Sequence, residues 1–334
     1  MAPAPTANRL LATLGIRHPI LLAGMAGGYT TPELVAAVSE AGGLGCFGLS
    51  TMSAEAAGAA VARARALTAA PIAVNVLVAP PTAPDRRGGD PNAALTPFRR
   101  ELGLPATPAP APRPATPREL VTAALEAGAN VVSVGLGDPG DVRDLARAAD
   151  APLVAMASSV EDAVRSVESG ADVIVAQGAE AGGHRSTFDL PDDGEVPLVG
   201  TFALVPQVAR AVDVPVVATG GVMDGRGLVA ALALGAEGVQ MGSRFLVAAE
   251  SGAPAGYKRR LLEAGDAETV VTRAVSGRPR GRSGPGGRRW RRRSGCRRWR
   301  RPAWDSRGPA GRRLRGRRRG GWAGRARAGR RRRG

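Results

Sequence analysis

The sequence predicts an α/β protein, a closed (β/α)8 TIM barrel with a long inserted loop after strand 3 and a disordered basic C-terminal tail. Three observations lead to this prediction. Eight short apolar runs suit strands buried on both faces, stretches of helical periodicity lie between the runs, and glycine stands where these stretches would end. Alternating strands and helices form a parallel sheet with right-handed crossovers, and eight such units favour a closed barrel.

The apolar runs give the order of the predicted strands. They begin near Pro19, Gly43, Pro71, Asn130, Ala151, Asp172, Val214 and Glu237. An open doubly wound sheet has the same alternation and stays an alternative, because periodicity does not reveal closure. The first strand-to-helix turn argues against that alternative, since AGMAGG at residues 23–28 lacks the G-x-G-x-x-G spacing of dinucleotide-binding sheets.

Start signals for three helices agree with this order. Thr31 precedes Pro32, as an N-cap residue precedes a proline in the first helical turn. TPRE at residues 116–119 and SSVE at residues 158–161 have the spacing of a capping box. A last helix is expected at residues 257–264.

Two of the connections between strands are much longer than the others. The connection after the third strand, residues 79–116, is rich in proline and poor in large apolar side chains. We therefore expect a mobile lid or a partly ordered arm there. The other long connection follows the sixth strand and carries His184.

Composition divides the chain at about residue 277. Residues 278–334 contain 25 of the 46 basic residues, one of the 29 acidic residues and all four tryptophans. The remaining 21 basic and 28 acidic residues give residues 1–277 a net charge of about −7, so the overall charge of +17 reflects the tail alone. We expect one large domain at residues 1–277 and a tail at residues 278–334 that is disordered, because few large apolar side chains offset the entropy of ordering it.

The cysteines and the apolar runs indicate the cellular compartment and argue against a metal site. Cys46 lies in an apolar run and Cys296 in the tail, so the two form neither a disulfide framework nor a metal site. The N-terminal residues lack the features of a signal peptide, and no apolar run approaches the length of a membrane span. The expectation is a soluble cytoplasmic protein without a membrane partner.

The segment QGAEAGGHR at residues 177–185 is the strongest indication of chemistry. It follows the apolar run DVIVA at residues 172–176, so His184 lies where a buried strand becomes a loop. Neighbouring glycines let the backbone approach a ligand, and an imidazole can act as acid or base at neutral pH. His184 is the candidate catalytic residue. Arg185 is either a solvated loop charge or an anion contact, and His18, before the first strand, is expected to be structural.

Two glycine turns predict a phosphate site. They are TGGV at residues 219–222 and MGSR at residues 241–244, after the seventh and eighth predicted strands, where barrels of this type commonly hold phosphate. Gly220, Gly221 and Gly242 allow backbone N–H groups to converge on the phosphate oxygens, and Ser243 adds a hydroxyl.

Two amides in apolar strands allow two interpretations. Asn75 and Gln177 each need a hydrogen-bond partner, because a buried unpaired amide costs about 1–3 kcal/mol. The partner is either a neighbouring strand or a bound flavin.

These residues resemble the FMN-dependent nitronate monooxygenases, also called 2-nitropropane dioxygenases. The resemblance extends from about Arg17 to Pro279. It rests on LAGMAG at residues 22–27, AGGLG at 41–45, VNV at 74–76, QGAEAGGHR at 177–185, ATGGV at 218–222 and GVQMGSRF at 238–245. The resemblance implies an FMN-binding domain, with the phosphate of FMN at Gly220, Gly221, Gly242 and Ser243. It also implies contacts of the cofactor with Ala23, Gly24, Met25, Asn75, Gln177, Gly182 and Gly183.

The resemblance further implies a reaction. An alkyl nitronate would be oxidised by the flavin, and dioxygen would then react, giving a carbonyl compound and nitrite, with His184 as the acid/base or the residue that binds the nitro group. The chain departs from the family where many members carry QAPM in place of LAGM at residues 22–25, and where some members place a histidine after the fourth strand. A related family, the NAD(P)H-dependent flavin enoyl-acyl-carrier-protein reductases, shares the AGGH loop and is the alternative enzyme.

The tail has two interpretations of different kinds. Its arginines and tryptophans are typical of a nucleic-acid-binding arm, and nucleic acid would be a partner only if the tail is genuine. The family pattern stops abruptly after Pro279, however, and gives way to the arginine-rich mixture that GC-rich coding DNA yields in the wrong frame. The sequence therefore favours a frameshift over a selected basic arm.

Overall fold

Eight parallel strands form the closed barrel that the sequence predicts. The computed structural model describes residues 8–78, 91–105, 114–189, 196–273 and 279–283, all within the compact unit Met1–Arg289. The barrel strands are β1 (Ile20–Leu22), β2 (Gly45–Gly48), β3 (Ile72–Leu77), β4 (Val131–Gly135), β5 (Leu153–Ala157), β6 (Val173–Gln177), β8 (Val216–Thr219) and β9 (Gly238–Met241). They pair in parallel in the order β1-β9-β8-β6-β5-β4-β3-β2, and a bridge between Leu21 and Leu44 joins β1 to the start of β2. This bridge closes the barrel and excludes the open sheet.

Helices alternate with the barrel strands as the periodicity indicates. The helices are α1 (Arg9–Leu14), α2 (Pro32–Glu40), α3 (Ala54–Arg65), α4 (Pro91–Glu101), α5 (Pro117–Glu126), α6 (Gly140–Ala148), α7 (Val160–Glu168), α8 (Thr201–Ala211), α9 (Gly225–Ala233), α10 (Ser243–Leu246) and α11 (Ala255–Glu263). Thr31 caps α2, and Thr116 forms a complete capping box with Glu119 at the start of α5. At α7 the cap is Ser159, not Ser158, because Ser159 has the extended backbone of an N-cap and accepts from the amide of Asp162.

A small second sheet lies beside the barrel and has no counterpart among the predicted strands. It contains β7 (Gly183–His184), β10 (Thr269–Thr272) and β11 (Arg280–Ser283), paired antiparallel in the order β10-β11-β7. β11 begins three residues into the segment that the sequence assigns to the tail. Residues 280–283 of that segment therefore form a strand, and residue 278 and residues 284–334 lie outside the described residues.

The long connections contain the remaining elements. α4 forms inside the proline-rich connection, while residues 79–90 and 106–113 lie outside the described residues, so the partly ordered arm stays a prediction. A lid role for this arm stays a prediction. None of the helices among the described residues combines the length and hydrophobicity that a membrane span requires.

Apolar side chains fill the barrel interior at the N-terminal ends of its strands, which we call the lower part. Leu10 and Leu14 of α1 are buried with inward-facing strand residues that include Leu21, Ala73 and Val175. The alternating strand residues face outward and pack under the helices in two further clusters. The lower part of the barrel is thus an apolar core, and a ligand site can form only at the C-terminal ends of the strands.

Glu237 joins α1, which closes the lower part of the barrel, to β9. The Leu10 amide donates to Glu237 Oε2 at 3.1 Å, and Asn8 Nδ2 donates to the Glu237 carbonyl at 2.7 Å. A Cβ on Gly238 would lie 2.5 Å from Leu10 Cδ2, so Leu10 packs directly on the β9 backbone.

We expect Leu10→Ala to lower the free energy of unfolding by about 2–5 kcal/mol, because it leaves a cavity at the base of the barrel. The midpoint of urea denaturation measures this loss. Leu262→Ala is the control, since Leu262 is 72% exposed and its truncation should change stability by less than about 0.5 kcal/mol. Equal midpoints for the two variants would show that α1 does not stabilise the barrel.

Candidate active site at the barrel mouth

A layer of polar side chains lies inside the barrel at the C-terminal ends of its strands. Four members follow, by two residues, an inward-facing residue of the apolar core, and the fifth, Gln240, follows Gly238, on which Leu10 packs, so all five point to the same interior. The members are Asn75, Ser133, Gln177, Thr219 and Gln240, and all five are buried. The interior therefore changes from apolar to polar within one layer of side chains, and this change sets the floor of the candidate site.

Gln177 binds the backbone of the loop that crosses the mouth. Its Nε2 donates to the His184 carbonyl at 2.8 Å, and its Oε1 accepts from the Ser186 amide at 2.9 Å. The side-chain amide is thus satisfied by the loop rather than by a neighbouring strand. These two bonds place the backbone of His184 directly over the end of β6.

Asn75 has the neighbouring-strand partner that one interpretation of the sequence expects. Its Nδ2 donates to Ser133 Oγ on β4 at 2.9 Å. A Cβ built on Gly24 would lie 2.5 Å from Asn75 Cβ and 3.2 Å from Cys46 Sγ, so these three residues are in close contact. Burial raises the pKa of the Cys46 thiol to about 12, which keeps it protonated and excludes it as a nucleophile at neutral pH.

Gln240 is a candidate site residue that the sequence analysis missed. Its Oε1 is buried and accepts no hydrogen bond among the described residues, while its backbone carbonyl accepts from Thr219 Oγ1 at 2.9 Å. A buried amide oxygen without a donor is costly unless a ligand supplies one. The signal that identified Asn75 and Gln177, a polar side chain in an apolar strand, was also present at Gln240 and Ser133.

The two predicted phosphate turns lie at the same end of the barrel as this polar layer. Gly220 and Gly221 have φ values of +113° and +74°, which a side chain would strain. A Cβ on Gly220 would lie 2.9 Å from the amide nitrogen of Ala181, so this turn touches the loop that carries His184. A Cβ on Gly242 would lie 3.6 Å from Met25 Sδ.

The structure also brings together the other predicted residues. The Ala23 amide donates to the Met241 carbonyl at 3.0 Å, which holds the first turn against the Gly242 turn. Gly182 and Ser243 line a cleft of about 140 Å³ together with Glu180 and residues of β10 and β11. A Cβ on Gly182 or Gly183 would meet open space, so these two glycines border room for a ligand.

Arg185 is neither the solvated charge nor the free anion contact that the sequence allowed. It is 1% exposed, and its guanidinium donates to the carbonyls of Gly178 at 2.6 Å, Gln177 at 2.9 Å and Pro197 at 3.2 Å. Burial lowers the pKa of the Arg185 guanidinium, and the nearby Glu180 carboxylate acts in the opposite direction. Arg185 is therefore a structural cation beneath the loop.

Glu180 and Thr201 form the second attachment of the loop. Glu180 Oε2 accepts from the amide and from the hydroxyl of Thr201, each at 2.9 Å, at the N-terminus of α8. A carboxylate is favourable there because the first amides of a helix lack partners. Thr201 Oγ1 also lies 2.9 Å from the Gly220 carbonyl, so one threonine joins the His184 loop, α8 and the phosphate turn.

His184 itself lies in β7, where it pairs with Arg280 of β11. Its position at the mouth follows from the bonds of Gln177, and its strand neighbour Arg185 points beneath the loop. Because successive strand residues point to opposite faces, the imidazole lies on the face away from the Arg185 guanidinium. His184 follows Gly182 and Gly183, which border open space, and an imidazole there can exchange a proton with a bound substrate.

The family profile and the sequence relatives agree on one family, and the solved structures add a second kind of neighbour. The profile of the family described as Nitronate monooxygenase matches residues 8–283. A probable nitronate monooxygenase from Staphylococcus saprophyticus is 39% identical over 279 residues, covering 81% of this chain and 77% of that protein. The solved structure of a nitroalkane oxidase from Streptomyces ansochromogenes is 34% identical with a TM-score of 0.72, covering 82% and 78% of the two chains. FabK from Thermotoga maritima is 34% identical with a TM-score of 0.64, covering 82% of this chain and 74% of that chain.

We expect Gly178→Ala to displace the His184 loop, because its Cβ would fall on Thr201, within van der Waals overlap of the backbone nitrogen and Cα at 2.5 and 2.6 Å. Overpacking of this kind costs about 1–3 kcal/mol, and it should lower the melting temperature by several degrees. Gly225→Ala is the matched control, since a Cβ on Gly225 meets nothing within 4 Å. Differential scanning calorimetry compares the two; a melt of Gly178→Ala like that of Gly225→Ala would contradict the tight packing of the loop on α8.

Proposed function

The chain belongs to the nitronate monooxygenase family, and we propose that it binds FMN at the barrel mouth and oxidises alkyl nitronates with dioxygen to a carbonyl compound and nitrite. The observation that carries this proposal is the meeting of three features at one end of the barrel. They are the glycine turns after β8 and β9, the buried polar layer and the loop of His184. Each is suited to a different part of a flavin and its substrate.

The residues at the mouth fit the parts of FMN by their chemistry. The turns of Gly220, Gly221, Gly242 and Ser243 offer backbone amides and a hydroxyl for a phosphate. Side-chain amides of the polar layer, including the unpartnered oxygen of Gln240, match the hydrogen-bonding edge of a flavin or its ribityl hydroxyls. Ala23, Gly24, Met25, Asn75, Gln177, Gly182 and Gly183 complete the proposed cofactor contacts. FMN, when bound, supplies the redox chemistry between the nitronate and dioxygen.

The protein's own part in the reaction is to hold the substrate and to stabilise the negative charge of the nitronate. A nitronate is an anion, and His184 either donates a hydrogen bond to its oxygens or takes the proton from the carbon of the neutral nitroalkane. The buried Arg185 adds a positive charge under the same loop, in a region that excludes water. Fixed groups of this kind stabilise an anion without reorganising during the reaction.

A second candidate is the reduction of enoyl thioesters by NAD(P)H. The AGGH segment at residues 181–184 is common to that enzyme family and to the nitronate monooxygenases, and the FabK structures cover most of this chain. Arg185 after His184 favours nitronate oxidation, because Arg commonly follows this histidine in the nitronate group.

The purified chain should be yellow, release FMN on denaturation and produce nitrite from propyl-2-nitronate in air. Absorbance spectra, chromatography of the released flavin and a colorimetric nitrite assay measure these properties. Gln240→Leu should weaken FMN binding by about tenfold, since it removes a hydrogen-bonding amide from a buried site. Absence of nitrite together with rapid NADH-dependent reduction of an enoyl thioester would instead support the second candidate.

His184→Asn should lower kcat/KM for propyl-2-nitronate by about 10²–10⁴, while FMN stays bound, because the variant loses proton transfer but keeps a polar side chain. His18→Asn is the control: His18 is exposed, and its backbone amide bonds to the Gly42 carbonyl, remote from the mouth. Steady-state kinetics with both variants test the assignment. A His184 variant as active as the His18 variant would exclude His184 from the reaction.

A further inference from the structure

Arg280 follows the last family motif directly, yet it belongs to the fold as the first residue of β11, where it stands opposite His184 in the small sheet. The two are register partners of the antiparallel strands β11 and β7. The Arg185 amide donates to the Pro279 carbonyl at 2.9 Å, which makes residues 185 and 279 the hydrogen-bonded pair. His184 and Arg280 are therefore the adjacent non-hydrogen-bonded pair, in which the side chains share a face and the Cβ atoms are about 4.5–5.5 Å apart.

The two arginines next to His184 have different surroundings. Arg185 lies on the opposite face of β7, where three backbone carbonyls accept from its guanidinium. The Nε of both arginines is buried without a hydrogen bond among the described residues, but Arg280 has neither a carbonyl nor a carboxylate partner there. Its other cross-strand partner is Thr272 of β10, so a threonine, an arginine and a histidine form one row across the sheet.

We propose that Arg280 binds the anionic group of the substrate beside His184, an inference that rests on the proposed nitronate chemistry. A nitronate carries two oxygens on one planar nitrogen, and this arrangement resembles a carboxylate. The planar guanidinium presents paired N–H groups that match two such oxygens, whereas a lysine offers only a point charge. Arg280 thus supplies the fixed positive charge on the face of His184, and Arg185 holds the loop from beneath.

This role makes a prediction about charge in the substrate. Arg280 should contribute to the binding of anions and little to the binding of neutral nitroalkanes. It should contribute nothing to the binding of FMN, because the proposed cofactor contacts come from the barrel strands and their turns. By this inference Arg280 is a substrate-binding group, and its loss should weaken the binding of the anionic nitronate much more than the binding of the neutral nitroalkane.

The test uses the full chain with bound FMN and three variants: Arg280→Gln, Arg280→Lys and, as the control, Arg259→Gln, which removes the same charge from an exposed arginine of α11. Sodium nitrate, a planar anion with equivalent oxygens, is the probe for calorimetric titration. We expect Arg280→Gln to weaken nitrate binding and to raise KM for propyl-2-nitronate by about tenfold each, the effect of losing a charged hydrogen bond. Arg280→Lys should recover part of this loss, and KM for neutral 2-nitropropane and the Kd for FMN should change less than about twofold.

The outcomes separate this inference from the proposed function. Nitrate affinities that are equal in the wild type and Arg280→Gln, or lowered equally by Arg280→Gln and Arg259→Gln, would overturn the role of Arg280 even if the enzyme makes nitrite. A wild type that binds no FMN and makes no nitrite would overturn the proposed function. The calorimetric comparison with nitrate needs no turnover, so it tests the anion-binding role of Arg280 separately from the nitronate reaction.

Discussion

The site depends on one buried cation, Arg185, and on the amide of Gln177 beside it. Both side chains bind the backbone of the loop at the end of β6. Arg185 donates to three backbone carbonyls, and the Gln177 amide bonds to the backbone of residues 184 and 186. Desolvating a guanidinium is expensive, and here the cost is offset by backbone acceptors and by the nearby Glu180 carboxylate. Loss of any one of these interactions would leave a buried polar group without a partner. The interactions that hold the loop to the barrel are therefore expected to form and break together.

The barrel interior supports this arrangement by being divided into two layers. The lower layer is apolar and plugged by α1, so it contributes stability and nothing to ligand binding. The upper layer is polar, and its side chains either hold the loop, as Gln177 does, or have unused hydrogen-bonding capacity, as Gln240 does. A flavin at this level would rest on a rigid floor, since strands position their side chains more firmly than loops.

Charge at the mouth is arranged on two sides of β7. Arg185 serves the fold from the inner side, and Arg280 stands beside His184 on the other. The carboxylate of Glu180 is directed to the start of α8, where it caps the helix. The carboxylate of Glu180, itself a residue of the loop, is therefore engaged with α8, and the two arginines lie on either side of His184.

The alternation of buried strands and helices was determined by the sequence alone, because a parallel strand covered on both faces must be a continuous apolar run and its helix must begin and end with capping residues. The glycine turns and His184 were likewise identified from local chemistry, and the family from the motifs that contain them. Only the tertiary structure decided that Gln177 binds the loop, that Arg185 is buried, that the Gln240 amide oxygen lacks a donor among the described residues and that Arg280 pairs with His184. Those contacts join residues that are far apart along the chain or ambiguous in isolation, and a hydrogen bond between two strands depends on their register, which no single segment encodes.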